Sequence, residues 1–512
     1  MMKLVLTGKD LSIDQVYQVS RCQVGELKIE LSSEALASME KSKAYVKKII
    51  QTGKPVYSIN TGFGSLSSKK IENHDLNQLQ VNLIRSHCTG VGQPFDEETT
   101  RAIMLLRANC LASGFSGVNP EIVKLLLTFL MRGIIPFVPC KGSVGASGDL
   151  APLSHIALSL IGEGKVFYQK QLIETKIALK KENLSPIVLG PKDGLALING
   201  TAVMTALGAL AIAKSRRLVK LADVAACLTN EAVRGSSNAY DPLITSLKPH
   251  PGQIACNENL NLILTKSEIR DSHKNCEKVQ DPYSIRCVPQ VHGACRQTIM
   301  HATSVLDIEL NAVTDNPLIF VDQDKVVSGG NFHGEAVAFA LDYLAIGMAE
   351  LCNISERRVE KMMNPIFSDL PHFLTNNAGL NSGLMIAHVT SAALASENKY
   401  LCHPASIDSI PTSTDKEDHV SMGVTAGRKL MEILDNLKHC LAIEFLCNTQ
   451  AIEFLRPLKT NHGLEKVIEL IRTKVPPIVQ DRVFHEDIQS IADLIEKNKI
   501  IETIEDAIGE LK

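Results

Sequence analysis

Between Gly142 and His155 the chain reads Gly-Ser-Val-Gly-Ala-Ser-Gly-Asp-Leu-Ala-Pro-Leu-Ser-His, and the Ala146-Ser147-Gly148 core can make an electrophile from its own backbone. Gly148 lacks a Cβ, so the chain can bend until its amide nitrogen attacks the Ala146 carbonyl carbon and closes a five-membered ring. Losing water from that ring and from the Ser147 side chain leaves an exocyclic methylene conjugated with the ring. Such a methylene accepts electron pairs, which no standard side chain does. Other loop chemistries fail on spacing. A hydrolase elbow needs Gly-x-Ser-x-Gly, but Asp149 stands two residues after Ser147. Neither the phosphate-loop nor the dinucleotide-loop glycine pattern is present. Ala-Ser-Gly alone is compatible with an ordinary turn or a serine N-cap, so the longer string carries the chemical reading.

Further polar strings punctuate the chain. Pro55–Gly64 is glycine-rich with one phenol, Tyr57, and Arg85-Ser86-His87-Cys88-Thr89-Gly90 places an imidazole just before a glycine. Asn199-Gly200 is a turn dipeptide ahead of an apolar run. Gln280-Asp281-Pro282-Tyr283-Ser284-Ile285-Arg286 puts an amide, a phenol and a guanidinium close together. Arg286 offers a planar fork that grips a carboxylate in bidentate fashion; an intersubunit ion pair is its structural alternative. Ser328–Gly334 contains Phe332 and opens a long helical window, and Lys416-Glu417-Asp418-His419 is a charged run that could equally be a solvated face.

The elements that must position these groups are mostly helices. Apolar residues recur at helical spacing through roughly 201–234, 292–313, 333–362, 380–400 and 420–456. Up to about residue 110 shorter segments alternate with Gly and Asn turns, which predicts a mixed α/β N-terminal cap (1–110) on a helical bundle domain (111–512). The expected class is mainly α: an elongated bundle of long helices interrupted by a short hairpin over Leu318–Ser328 that turns at Asp322–Asp324. With 512 residues, 45% hydrophobic but only 4% aromatic and no Trp, the core must be filled by aliphatic side chains and alanine. Asp149 and Pro152 suit the start of a helix, whose partial positive charge would make a nearby methylene more electrophilic.

Composition also bounds the partners. Lys plus Arg number 53 against 56 Asp plus Glu, so neither nucleic acid nor an anionic membrane surface is expected as a partner. The most apolar stretch, Thr201–Ala213, is too short to cross a bilayer and ends in Lys214-Ser215-Arg216-Arg217. Thirteen cysteines without a Cys-x-x-Cys pair, and no paired His spacing, predict reduced thiols in a cytoplasmic protein and no metal site.

The block Gly142–His155 resembles the signature of the aromatic amino-acid ammonia-lyases, and the strings above follow one another as in the histidine-acting branch of that family, over about residues 50–425. The run Leu79–His87 and the run Val279–Cys287 are similar to that branch; phenylalanine-acting members generally lack the imidazole at His87 and carry Gln at Glu417. The resemblance implies a carbon–nitrogen lyase that converts L-histidine to trans-urocanate and ammonia without a soluble cofactor. Its electrophile would be 4-methylidene-imidazol-5-one (MIO), formed autocatalytically from Ala146, Ser147 and Gly148. The same resemblance assigns Arg286, helped by Asn199, to the substrate carboxylate, and Tyr57 to acid–base work at the β-carbon or amino group. Tyr283 and Gln280 would support the modified loop and substrate, Phe332 would wall the pocket, and His87 and Glu417 would recognise the imidazole, with Glu417 a candidate base. A homotetramer whose active sites combine residues of different subunits is implied as well. Lys416 departs from the Gln that often precedes Glu-Asp-His. An MIO enzyme acting on tyrosine or phenylalanine, an aminomutase, or a non-catalytic helical scaffold are the alternatives.

Overall fold

A computed structural model describes residues 1–274 and 279–512. Helices dominate. Those that matter for the site are α1 (Leu76–His87), α2 (Glu97–Ala112), α3 (Leu150–Leu160), α4 (Asp193–Ile198), α5 (Ala202–Ala232), α6 (Val288–Glu309), α7 (Glu335–Met363), α8 (Met385–Leu401) and α9 (Gly423–Glu453). The expected windows and the observed helices agree to within a few residues, and the differences have local causes. Helix α6 starts at Val288 because Pro289 falls in its first turn, where a missing amide hydrogen costs no intrahelical bond. Helix α8 starts only at Met385, since Gly383 just before it has φ +58°, outside the right-handed helical region.

β-structure is sparse. Strands Met2–Leu6 and Leu27–Leu31 pair in parallel beside helices Ile13–Arg21 and Ser33–Thr52, which start at the N-caps Ser12 and Ser32. Beyond residue 110, Ile135–Pro136, Lys165–Tyr168 and Gln171–Glu174 form a small antiparallel sheet. The hairpin lies where the turn signals put it, Leu318–Phe320 pairing with Lys325–Val327, and Asp324 takes up a left-handed conformation in the turn.

The chain forms two compact units. The first comprises 1–213, 302–342 and 404–428. In it α5, α6, α7 and α9 approach closely at glycine notches: a Cβ on Gly208 would stand 2.9 Å from Leu341 and 3.0 Å from Leu306, and one on Gly427 would stand 2.9 Å from Leu207. Helices can come this near only where a side chain is missing. The second unit comprises 214–301, 343–403 and 429–512. Its core holds charge, and that charge is paired. The buried Glu444 carboxylate accepts from Arg358 (2.5 and 2.8 Å), Thr229 (2.9 Å) and Ser355 (2.6 Å), linking α5, α7 and α9. Asp223 on α5 is held in the same way by His292 (2.7 Å) and Arg296 of α6, whose charges keep its carboxyl near pKa 2 despite burial. Deleting one partner of such a group would strand a buried charge.

Helix α7 is long and apolar enough to span a bilayer by length and composition, but most of its apolar window is buried inside the protein. None of the described cysteines is in a disulfide.

Candidate active site

The glycine-rich loop is built so that only glycine fits at its centre. Gly148 has φ +71°, and a Cβ there would lie 2.3 Å from the Gly200 carbonyl oxygen and 2.4 Å from its carbon. Both obstacles are backbone. The amide after it, Asp149 N, donates to that same Gly200 oxygen at 2.8 Å. Gly200 is locked in turn. A Cβ on it would meet the Thr314 carbonyl oxygen at 2.2 Å, and the buried Arg107 guanidinium brackets the turn by donating to the carbonyls of Ala196 and Thr314.

Asp149 stands at the N-cap of α3, as its place in the sequence predicts, yet its carboxylate does not cap that helix. It accepts instead from Val203 N (2.9 Å) and Met204 N (3.0 Å) at the start of α5, and from Ser143 Oγ (3.2 Å). These orphan amides are a natural seat for an anion. Complete burial nonetheless dominates and pushes the carboxyl up to about 7, against the pull of those hydrogen bonds.

A second segment laces this loop from outside. Met422 N donates to Val144 O at 2.9 Å and Ser421 Oγ to Gly145 O at 3.3 Å. Glu417 rides on the same segment, and its Oε1 accepts from Ser147 Oγ at 2.6 Å. Its other oxygen accepts from Thr412 Oγ1 (2.9 Å) and Ser413 Oγ (2.8 Å), while the backbones of Thr412 and Glu417 pair across the turn between them. The Thr412-Ser413-Thr414 hydroxyl run ahead of a charged residue was the available signal for this cradle, and sequence reasoning passed over it. Lys416 is exposed.

Tyr57, His87, Ser147, Asn199 and Glu417 line one hollow of about 510 Å³. Ala146 and Gly148 line an adjoining hollow of about 300 Å³ together with His87, Ser147 and Glu417. His87 is the last residue of α1, and its Nδ1 lies 2.8 Å from Leu83 O. A proton on Nδ1 satisfies that carbonyl and leaves Nε2 with its lone pair. Burial lowers the His87 pKa, with the Leu83 bond and the Glu417 charge opposing. Tyr57 is half-buried and its hydroxyl accepts from Gly64 N at 3.3 Å. Asn199 is buried, and its Oδ1 has no hydrogen-bond partner, an acceptor held ready for a donor.

The remaining expected residues are placed otherwise. Phe332 is half-buried and is not among the residues lining either hollow. Gln280, Tyr283 and Arg286 belong to the second compact unit, where they line a separate hollow of about 560 Å³ with Ser236 and Gln290. There the Arg286 guanidinium stacks on the Tyr283 ring, 4.6 Å from its centroid, and Tyr283 is 70% exposed.

A long-helix fold carrying a glycine-only turn beside a serine hydroxyl and a carboxylate defines a class, and residues 11–473 match the model of the aromatic amino acid lyase family; the chain belongs to that family. It is 47% identical over 505 residues to the histidine ammonia-lyase of Myxococcus xanthus, covering 99% of both chains. Among solved structures it superposes on histidine ammonia-lyase from Trypanosoma cruzi with a TM-score of 0.92 at 44% identity, covering 99% of this chain and 96% of that one. A tyrosine aminomutase from Streptomyces globisporus superposes with a TM-score of 0.94 at 34% identity over all of both chains. The fold is thus shared by proteins of differing reaction, and the side chains of the hollow have to discriminate between them.

Proposed function

We propose that this protein eliminates ammonia from L-histidine to give trans-urocanate, as a carbon–nitrogen lyase of the cytoplasm, using an MIO group matured from Ala146-Ser147-Gly148. The observation that carries the reading is the 2.6 Å hydrogen bond between Ser147 and Glu417: the precursor of the electrophile touches a carboxylate in a hollow that also holds an imidazole. The loop fits the group, because a Cβ at position 148 would fill the space against Gly200 and a ring needs that tight approach. When formed, MIO supplies an electron-accepting methylene that assists departure of the amino group or acidification of the β-hydrogen.

The protein's own residues do the rest. A carboxylate beside the substrate imidazole fixes its tautomer and favours its charged form, so Glu417 selects histidine over a phenol or a phenyl ring. His87, kept neutral by burial, offers Nε2 to the same ring. The unpartnered Asn199 Oδ1 suits the substrate ammonium, and Tyr57 moves a proton at the β-carbon or amino group. Arg286 grips the substrate carboxylate, with Gln280 and Tyr283 beside it and Phe332 closing the pocket. These four residues do not line the Ser147 hollow of their own chain, which supports a homotetramer whose sites combine subunits. No nucleic acid and no membrane takes part.

Incubating the purified protein separately with L-histidine, L-tyrosine and L-phenylalanine, and following product absorbance, tests the reading. Urocanate formation from histidine alone is expected, from protein whose intact mass is two waters below that of the encoded chain. Cinnamate or coumarate formation, or a β-amino acid product, would replace it with a lyase of other specificity or an aminomutase. An unmodified mass with no turnover would leave a helical scaffold.

A further inference from the structure

Ser413, Thr414 and Asp415, just ahead of Glu417, all lie in the left-handed region, with φ of +52°, +54° and +61°. None is glycine, and Thr414 is β-branched, the type least suited to that conformation. Backbone held at such a cost persists where its surroundings over-determine it, and it gathers at working sites. The hydrogen bonds of this turn show what it achieves. Thr412 and Ser413 stand five and four residues before Glu417, and the turn brings both of their hydroxyls onto one oxygen of its carboxylate, Oε2, at 2.9 and 2.8 Å. Backbone bonds from Thr412 N to Glu417 O (2.9 Å) and from Glu417 N to Thr412 O (3.3 Å) close the turn, and Val420 N donates to Ser409 Oγ (3.1 Å) just beyond it.

The two oxygens of Glu417 are treated differently when the glycine-rich loop matures. Oε1 accepts from Ser147 Oγ at 2.6 Å, and that hydroxyl leaves as water when Ala146-Ser147-Gly148 condenses. Oε1 then loses this donor, while Thr412 and Ser413 take no part in the condensation and keep Oε2. Ser413 and Glu417 line both hollows with Ser147, and Thr412 lines the smaller one. A carboxylate on a flexible stem wanders among rotamers once an anchor goes; two hydroxyl donors, strengthened by the negative charge they meet, confine it. The vacated oxygen is thereby held open toward the hollow.

We propose that Thr412 and Ser413 are positioning residues that set the specificity of the site for an imidazole: they fix Glu417 Oε2 so that Oε1, freed of the Ser147 hydroxyl, is presented to a ring N–H of the substrate. The assignment rests on the reading that Glu417 contacts L-histidine. A phenyl ring brings no such donor and would leave the oxygen desolvated and unpartnered. Without the two hydroxyls only a fraction of the protein carries Glu417 in the binding geometry at any moment, and apparent affinity falls by that fraction while the bound complex reacts as before.

The test is steady-state kinetics with L-histidine on the full-length protein and on the double variant Thr412→Val/Ser413→Ala, with intact mass measured on each sample. KM is expected to rise about 10–100-fold with kcat changed by less than about twofold and the deficit of two waters retained. The conservative pair Thr412→Ser/Ser413→Thr keeps both hydroxyls and should restore KM to within about twofold of the wild type. In a Glu417→Ala background the cradle has nothing to hold, so adding Thr412→Val/Ser413→Ala should change KM by less than about twofold. An unaltered KM in the double variant would overturn the assignment. So would an equal rise in the Glu417→Ala background, which makes the hydroxyls merely structural, or a loss of the mass deficit, which makes them part of loop maturation. Wild-type protein that forms no urocanate would instead remove the proposed function, and this assignment with it.

Discussion

Replacing Gly148 with alanine adds one carbon at the point where the loop is tightest. An ideal Cβ would stand 2.3, 2.4 and 2.6 Å from the oxygen, carbon and nitrogen of Gly200, none of which belongs to a flexible side chain. Gly200 cannot retreat, since its own Cα faces Thr314 and Arg107. The loop must therefore move by something near an ångström, and the bond from Asp149 N to Gly200 O, 2.8 Å long, is given up. Holding an L-residue in the left-handed region costs about 1–2 kcal/mol and the lost hydrogen bond about 1 kcal/mol, so the native loop geometry should be disfavoured by about 2–3 kcal/mol. That corresponds to a fall of roughly 30–150-fold in the population poised for ring closure, using the conversion of about 1.4 kcal/mol per decade. Intact mass spectrometry against time after synthesis reads the closure directly, and urea unfolding checks that the rest of the chain is intact. The expected outcome is a folded protein that loses its two waters roughly 30–150-fold more slowly than the wild type and makes correspondingly little urocanate while unmatured. A Gly148→Ala protein that matures at the wild-type rate and turns over histidine normally would refute the steric argument.

Other expectations follow from the same geometry. Glu417→Gln keeps the shape but removes the charge beside the substrate ring, so kcat/KM for histidine should fall by about 10²–10⁴-fold while the mass deficit of two waters persists; steady-state kinetics and mass spectrometry on one sample check both. His87→Gln should raise KM for histidine by about tenfold, the equivalent of one hydrogen bond, with a smaller change in kcat. For Asp149 the folded-state pKa of about 7 lies above the ordinary aspartate value of 3.8, so the folded state holds the proton more tightly; its stabilising contribution is present at low pH and lost as pH rises through about 7. Melting temperature should consequently decline less steeply between pH 5 and 8 in Asp149→Asn than in the wild type, and parallel profiles would contradict the assignment.

Much of the candidate site was legible before any coordinates. Ala146, Ser147 and Gly148 are covalent neighbours, so the capacity of an amide nitrogen to attack a carbonyl two residues back is written in adjacent residues, although the distant Gly200 backbone then holds the loop in its tight conformation. Helix α5 was visible as an apolar run after Asn199-Gly200 because periodicity is a local property, and the hairpin at Leu318–Val327 because turn residues are local as well. Asp149 was legible only in part. Its position at the start of α3 follows from its type, but that its carboxylate crosses to the amides of Val203 and Met204 depends on two helix starts being brought together by packing.

By itself, then, the sequence determined what could react: a self-condensing triplet, an imidazole, a phenol, a carboxylate, and helices long enough to carry them. Which of these meet was decided by tertiary structure. It put Glu417 on Ser147, set His87, Tyr57 and Asn199 around the same hollow, and left Arg286 in the other compact unit. The physical reason is range. Ring strain and helical repeat act over a few bonds, whereas contact between residues hundreds of positions apart exists only after the apolar faces of α5, α6, α7 and α9 have chosen how to pack.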